Sequence, residues 1–239
     1  MSSLNTKRHA VIVGPVMPVW DHGRFAQVLI DWLIERGYQV SVLDSMVYSA
    51  APSLDEAVKQ LRYDLSRRAP EIDVLIGYAF GGSLVVRAAE LMSENLRVVA
   101  LSAPTISSQL LCASLGEMCV ALDNGELMKS LGIIEKYATN SPHAMNAFSG
   151  IPASDYPEIC TRMARSFRML MAQTEHPEDR GARASILFVL GEESQLVGRE
   201  HLSVRRNDTL EIIPQAGMRI LSDAAQETLT AIGTYLNVR

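Results

Sequence analysis

Residues 77–82 read Gly-Tyr-Ala-Phe-Gly-Gly, and they join an apolar run at 73–77 to a helical pattern at 83–90. A strand, a tight turn of small residues and a helix are the setting of the G-x-S-x-G turn, which holds a strained serine hydroxyl above a parallel sheet as a nucleophile. The serine position is occupied here by Ala79, whose methyl group cannot attack a carbonyl. The sequence therefore predicts the turn of a nucleophilic enzyme without its nucleophile.

The elements that position this turn alternate between strands and helices. Helices are predicted at 21–36, 53–68, 83–93 and 223–236, where capping residues and amphipathic patterns occur. Short apolar runs predict strands at 9–14, 39–44, 73–77, 97–102, 184–191 and 208–214. Alternation of this kind favours a mostly parallel, doubly wound α/β sheet with right-handed crossovers.

The alternation stops between residues 105 and 179, where four helical segments follow one another. They are predicted at 107–122, 125–138, 142–148 and 155–175, and they are rich in Met, Leu and Ala. A helical insertion between two strands of an open α/β sheet lies over the carboxyl ends of the strands, where ligands bind. We therefore expect a core formed by residues 1–104 and 180–239, and a helical lid formed by residues 105–179.

Length and charge limit the partners of this chain. Its 239 residues suit one large α/β domain, and the net charge of -5 argues against nucleic acid, because phosphate binding requires a basic surface. No apolar run approaches the ~18 residues of a membrane span, and the first residues lack the apolar core of a signal peptide. The expected partner is a small molecule rather than a membrane.

The cysteines and glycines give no sign of a metal or a cofactor. Cys112, Cys119 and Cys160 are an odd number without metal-like spacing, which is typical of reduced thiols in a cytoplasmic protein. The stretch 77–82 lacks the G-x-G-x-x-G spacing of a dinucleotide-binding turn. We expect no metal site and no cofactor.

Three motifs resemble those of the α/β-hydrolase superfamily, in the same order along the chain. They are residues 77–82, residues 187–197 (Leu-Phe-Val-Leu-Gly-Glu-Glu-Ser-Gln-Leu-Val) and residues 213–221 (Ile-Pro-Gln-Ala-Gly-Met-Arg-Ile-Leu). The chain looks most like the short members with a helical lid, such as carboxylesterases, type II thioesterases and menaquinone-pathway lyases. The resemblance implies an α/β-hydrolase fold and the motif order nucleophile, acid, histidine.

The same resemblance implies that all three catalytic positions are substituted. They fall on Ala79, Ser194 and Met218. A serine needs a base to become nucleophilic, and the base needs a carboxylate to fix its tautomer. The ordinary serine-hydrolase mechanism is therefore predicted to be absent.

The oxyanion hole of such a fold consists of backbone amides, so it survives loss of the side chains. The resemblance implies the amide of Phe80 and one from the loop after the first strand, at Val16 or Met17. Two amides at a helix N-terminus polarise a carbonyl without forming an acyl-enzyme.

Five polar residues are candidates for the rest of the pocket. Asp21 and His22 follow the first strand and are candidates for acid/base chemistry together with Tyr78, although Asp21 is also a good helix cap and His22 fits the first turn of that helix. Ser102 follows a strand and is expected at the pocket floor. His143, beside a proline in the lid, is either an exposed loop residue or a pocket residue.

A replacement triad has few candidates elsewhere in the sequence. Glu192 and Glu193 lie beside the acid position, but we interpret them as solvated carboxylates of a loop. His176 adjoins a proline in the predicted lid. His201 is predicted to lie on a surface helix.

Three hypotheses remain open on the sequence. The favoured one is a non-hydrolytic lyase, cyclase, isomerase or decarboxylase acting on a small apolar carbonyl or acyl compound, in specialised metabolism. The second is a non-catalytic binding or accessory protein, whose partner would be a ligand or an acyl-carrier protein. The third is a thioesterase or esterase inactivated by Ser→Ala at position 79, against which Met218 argues, since the histidine is missing as well.

Overall fold

A computed structural model describes residues 8–68, 71–90, 92–93, 95–138, 150–174 and 184–237. Within them, six parallel strands form one sheet in the order β2-β1-β3-β4-β5-β6. The strands are β1 Arg8–Val13, β2 Tyr38–Leu43, β3 Val74–Tyr78, β4 Arg97–Leu101, β5 Ile186–Gly191 and β6 Thr209–Ile213.

Helices cover both faces of the sheet, which confirms the predicted fold class. Two apolar clusters lie on opposite faces, one under α2 and α3 and the other under α1 and α8. The helices that flank the sheet are α1 Gln27–Glu35, α2 Leu54–Arg68, α3 Phe80–Ala89, α7 Ile220–Asp223 and α8 Ala225–Leu236. Every residue of β3 and β5 is buried, because a central parallel strand is covered on both faces.

The described residues between β4 and β5, where the sequence predicted a lid, form three α-helices. They are α4 Gln109–Asp123, α5 Leu127–Ala138 and α6 Tyr156–Met171. Helix α6 packs against α4, against the turn Ser45–Ala50 and against α3. Apolar residues of α4 and α6 belong to the same cluster as α2 and α3, so the described part of the insertion shares the core of the sheet. The predicted segment 142–148, His143 and His176 lie outside the described residues.

The predicted helix at 21–36 is shorter than expected. Its first part is a 3-10 turn at Arg24–Ala26, and α1 begins only at Gln27. His22 and Gly23 both have positive φ angles, 59° and 92°, which no α-helix accommodates. Among the described residues, no helix is long and apolar enough to cross a bilayer.

The start of β5 is fixed by a buried ion pair. The Asp208 carboxylate is fully buried and accepts hydrogen bonds from the Ile186 amide at 3.0 Å, from the Arg205 amide at 2.9 Å and from the Arg205 guanidinium at 2.7 and 2.8 Å. One side chain therefore joins the loop before β6 to the first residue of β5.

Replacing Asp208 with alanine is expected to lower the free energy of unfolding by about 2 kcal/mol, because it leaves the Ile186 and Arg205 donors unpaired. Urea unfolding followed by circular dichroism measures this loss. Asp31→Ala is the matched control, because Asp31 is an exposed residue of α1. A loss equal to that of the control would contradict the structural role of Asp208.

Candidate active site

The turn between β3 and α3 has the backbone geometry of a strained elbow. Ala79 has φ 49° and ψ -115°, and its amide donates to the carbonyl of Leu101 at 2.9 Å. A Cβ added at Gly77 would lie 2.4 Å from the Cα of Gly82. Glycine is therefore required at position 77, because the chain returns so close to it. The backbone angles of Ala79 are rarely adopted by residues other than glycine and cost on the order of 1–3 kcal/mol.

The N-terminus of α3 lies directly against the end of β1. A Cβ added at Gly81 would be 2.3 Å from the carbonyl oxygen of Gly14. The Phe80 amide, in the first turn of α3, has no acceptor among the described residues. Val16 and Met17 follow Gly14 and line the same cavity as Phe80, which is the placement that an oxyanion hole made of these amides requires.

A cavity of about 800 Å³ opens above this turn. Its floor includes Ala79, Phe80 and Met218, and its roof comes from the helices between β4 and β5. The roof is formed by apolar side chains of α4 and α6: Leu111, Leu115, Met118, Met163, Phe167 and Leu170. Such a volume with apolar walls fits a small organic ligand.

Asp21 and His22 both line the cavity but differ in their freedom to react. Each carboxylate oxygen of Asp21 accepts a backbone hydrogen bond, from Gly23 at 2.9 Å and from Phe25 at 2.8 Å. Asp21 therefore caps the following turn, which was the alternative interpretation of this residue. His22 is exposed, and no hydrogen bond joins its ring to another described residue.

Tyr78 and Ser102 are tied to one backbone carbonyl. The Tyr78 hydroxyl donates to the Met218 carbonyl at 2.7 Å, and the Ser102 hydroxyl donates to the same oxygen at 2.8 Å. Burial raises the pKa of Tyr78 well above its ordinary value. This arrangement argues against Tyr78 as an acid/base residue, although it lines the cavity. Ser102 does not line the cavity, which corrects the expectation of a pocket-floor residue.

The three positions that the resemblance assigns to a catalytic triad, Ala79, Ser194 and Met218, follow the strands β3, β5 and β6. The amide of Glu193, next to Ser194, donates to Ala216 at 2.8 Å, and the Met218 carbonyl is held by Tyr78 next to Ala79. The Ser194 hydroxyl accepts from the Val197 amide at 3.2 Å and lies outside the cavity lining. Among the described residues that line the cavity, no hydrogen bond joins a serine to a histidine.

A Ser–His–Glu cluster does occur away from the cavity. His201 Nε2 lies 2.8 Å from the Ser108 hydroxyl, and His201 Nδ1 lies 3.5 Å from the Glu200 carboxylate. Nδ1 accepts from the Gly198 amide at 2.9 Å, so the ring proton is on Nε2 and the ring cannot act as a base toward Ser108. The predicted helix is a 3-10 turn at Arg199–His201 in which Arg199 and Glu200 are exposed, but His201 itself is buried rather than on the surface.

His201 is expected to make stability depend on pH. Burial lowers the pKa of its imidazole from the ordinary 6.5, and the Glu200 carboxylate opposes this shift more weakly. As the pH falls, the unfolded chain therefore binds a proton at this histidine before the folded chain does. The stability that neutral His201 contributes is complete above pH 6.5 and is lost as the pH falls toward the lowered pKa. The free energy of unfolding changes by up to about 1.4 kcal/mol per pH unit in this range.

Urea unfolding between pH 8 and pH 5 measures this slope. His201→Gln is expected to be less stable at neutral pH and to have a flatter profile, and His22→Gln, at an exposed position, is the control. An unchanged slope in His201→Gln would contradict the assignment.

Arg219 and Glu135 are two charged residues of the cavity wall that no motif in the sequence indicated. Arg219 Nη2 donates to Glu135 Oε1, and both residues line the cavity. Glu135 is buried on lid helix α5, whereas Arg219 directly follows Met218. The described residues contain no group of three or more His, Cys, Asp or Glu side chains that could hold a metal ion.

Comparison with solved structures identifies the architecture as the α/β-hydrolase fold. An α/β hydrolase enzyme, MGS-M2, from a Medee basin deep-sea metagenome library superimposes with a TM-score of 0.74 at 13% identity, covering 100% of this chain and 92% of that one. A hydrolase from Pseudomonas aeruginosa PA01 gives a TM-score of 0.71 at 14% identity, covering 99% and 92%.

An esterase from Exiguobacterium antarcticum, EaEST, gives a TM-score of 0.66 at 13% identity, covering 96% of this chain and 92% of that one. No family model and no curated protein matches the sequence. At these identities the comparisons establish the fold, and the chemistry has to be argued from the residues of the cavity.

Proposed function

We propose that this chain binds a small, largely apolar carbonyl or acyl compound in the cavity and acts on it without hydrolysis, as a lyase, cyclase, isomerase or decarboxylase. The observation that carries the proposal is the cavity of about 800 Å³ above a strained turn where Ala79 replaces a nucleophile and the Phe80 amide has no acceptor among the described residues. A carbonyl oxygen at this amide would be polarised, because the amide points from a helix N-terminus.

His22 is the candidate acid or base for such a reaction. Asp21 and Tyr78 are held by hydrogen bonds, whereas the His22 ring lines the cavity and remains exposed. An imidazole has one nitrogen that donates a proton and one that accepts it, which suits general acid or base catalysis.

Binding without turnover is the second candidate function. It is favoured by the engagement of Asp21 and Tyr78, which leaves His22 alone among the three acid/base candidates that the sequence predicted. An acyl-carrier protein as the donor of the ligand stays a prediction. A hydrolase inactivated only at position 79 is disfavoured, because Met218 lines the cavity where the base would lie.

The proposal is tested by binding and by covalent trapping. Octan-2-one labelled with ¹³C at the carbonyl is expected to bind, with a downfield shift of the carbonyl resonance. A fluorophosphonate is expected to leave the intact mass unchanged, because there is no activated serine to modify. Leu115→Trp, which fills the cavity, should abolish the shift. A stoichiometric fluorophosphonate adduct, or no ketone binding at millimolar concentration, would overturn the proposal.

A further inference from the structure

The cavity contains a fixed positive charge on its wall. The Met218 carbonyl accepts from Tyr78 and Ser102, and the Arg219 carbonyl accepts from the amides of Ser222 at 2.7 Å and Asp223 at 2.9 Å. Backbone bonds on both sides therefore hold the Cα of Arg219 in place. Arg219, Tyr78 and Ala79 line the same cavity, so the guanidinium and the elbow belong to one site.

Only part of the Arg219 guanidinium is used. Its Nη2 donates to Glu135, and this is the one hydrogen bond that the described residues make with its five N–H donors. The Arg219 side chain is 32% exposed, whereas the Glu135 side chain is 8% exposed. A guanidinium that is oriented by one carboxylate still has N–H donors on a second edge. This edge can bind a second carboxylate through two parallel hydrogen bonds.

The cavity is lined by the basic residues Arg24 and Arg219 and by the acidic residues Asp21, Glu135 and Asp155, so an anion is attracted only where it directly contacts a guanidinium. Glu135 neutralises Arg219 when no ligand is bound. An entering carboxylate would meet Arg219 and also the positive N-terminus of α3, a helix of ten residues that begins at Phe80. These two contributions offset the repulsion from Glu135. The apolar side chains of α4 and α6 line the rest of the cavity and would contact a hydrocarbon chain.

We infer that the ligand of this cavity carries a carboxylate, which Arg219 binds, in addition to its carbonyl group and apolar chain. This inference rests on the proposed function and narrows it to an oxo acid or an acyl compound with a free acid group. Glu135 is then a positioning residue, because it holds the guanidinium and does not itself touch the ligand.

Three probes of equal chain length test the charge of the ligand. Octanoate is expected to bind at least tenfold tighter than octanamide or octan-2-one by isothermal titration calorimetry. Arg219→Met should weaken octanoate binding at least tenfold and change octanamide binding less than twofold. Arg206→Met removes the same charge from an exposed position outside the cavity, and it should change neither affinity.

Glu135→Gln keeps the test decisive if Arg219→Met does not fold. Removing the opposing negative charge should tighten octanoate binding severalfold and leave octanamide binding unchanged. Equal binding of octanoate and octanamide, or an unchanged octanoate affinity in Glu135→Gln, would overturn the carboxylate inference while ketone binding still supports the proposed function. Failure of all three probes to bind would overturn both.

Discussion

Introducing a serine, an aspartate and a histidine at positions 79, 194 and 218 is expected to give this chain esterase activity, whereas Ala79→Ser alone is expected to give almost none. A serine hydroxyl at position 79 would replace a methyl group at the cavity floor, next to the Phe80 amide. Without a base it stays protonated and reacts slowly, since removing the serine or the histidine of a natural triad costs on the order of 10⁶-fold in rate.

The positions of the other two loops favour success of the triple variant. The Met218 carbonyl accepts a hydrogen bond from Tyr78, the residue before Ala79 in the elbow. The backbone of residue 218 is therefore held beside Tyr78, and the side chain of a new histidine would extend from that position. Gly191 lies so close to this loop that an added Cβ would be 2.0 Å from the Gly217 carbonyl. The Glu193 amide donates to the Ala216 carbonyl, so positions 194 and 218 lie on two loops in contact, and a carboxylate at 194 is expected to reach the new histidine and fix its tautomer.

Hydrolysis of p-nitrophenyl butyrate measures the gain. The triple variant is expected to exceed Ala79→Ser by about 10²–10³-fold, which is less than a natural triad contributes because the new side chains are not optimised. It should also be labelled by a fluorophosphonate, unlike the parent chain. The matched control is the same variant with Met218→Gln, which fills the position without a base. Equal rates in a folded triple variant and Ala79→Ser would show that positions 194 and 218 lack triad geometry.

The sheet and the elbow could be predicted from the sequence because their signals are local. Continuous apolar runs are needed where both faces of a strand are buried, and this is why the predicted strands at 73–77 and 184–191 lie on β3 and β5 within one or two residues. The elbow follows from glycines whose added Cβ atoms would overlap the neighbouring backbone. The overlap of Gly77 with Gly82 acts within the turn itself, whereas the overlap of Gly81 is with the distant residues Val13 and Gly14.

Three polar contacts could not be predicted, because each joins distant parts of the chain. Arg219 and Glu135 are 84 positions apart, and His201 and Ser108 are 93 apart. The acceptor of the Tyr78 hydroxyl is a backbone carbonyl 140 residues away, and a carbonyl has no residue type to indicate it. The sequence therefore suggested Tyr78 as an acid/base residue, although its hydroxyl proton is already donated to this carbonyl.

Replacing Gly81 with alanine is expected to lower the free energy of unfolding by about 4 kcal/mol. Helix propensity alone predicts the opposite sign, since alanine is favoured over glycine within a helix by about 1 kcal/mol. The new Cβ would lie 2.3 Å from the Gly14 carbonyl oxygen and 2.4 Å from that of Val13. Both are backbone atoms at the end of a central strand, so α3 itself has to move and carry the Phe80 amide away from the loop after β1.

Gly116 offers a control with the same chemical change. It lies within α4, and a Cβ added there has no atom within 4 Å, so Gly116→Ala should stabilise the chain by about 0.5–1 kcal/mol. Urea unfolding of the two variants is expected to give shifts of opposite sign. Gly81→Ala should also lose octan-2-one binding even where it remains folded, because the amide that polarises the carbonyl is displaced. Stabilisation by both substitutions would mean that α3 does not rest on β1, and the oxyanion site proposed at their contact would have no structural basis.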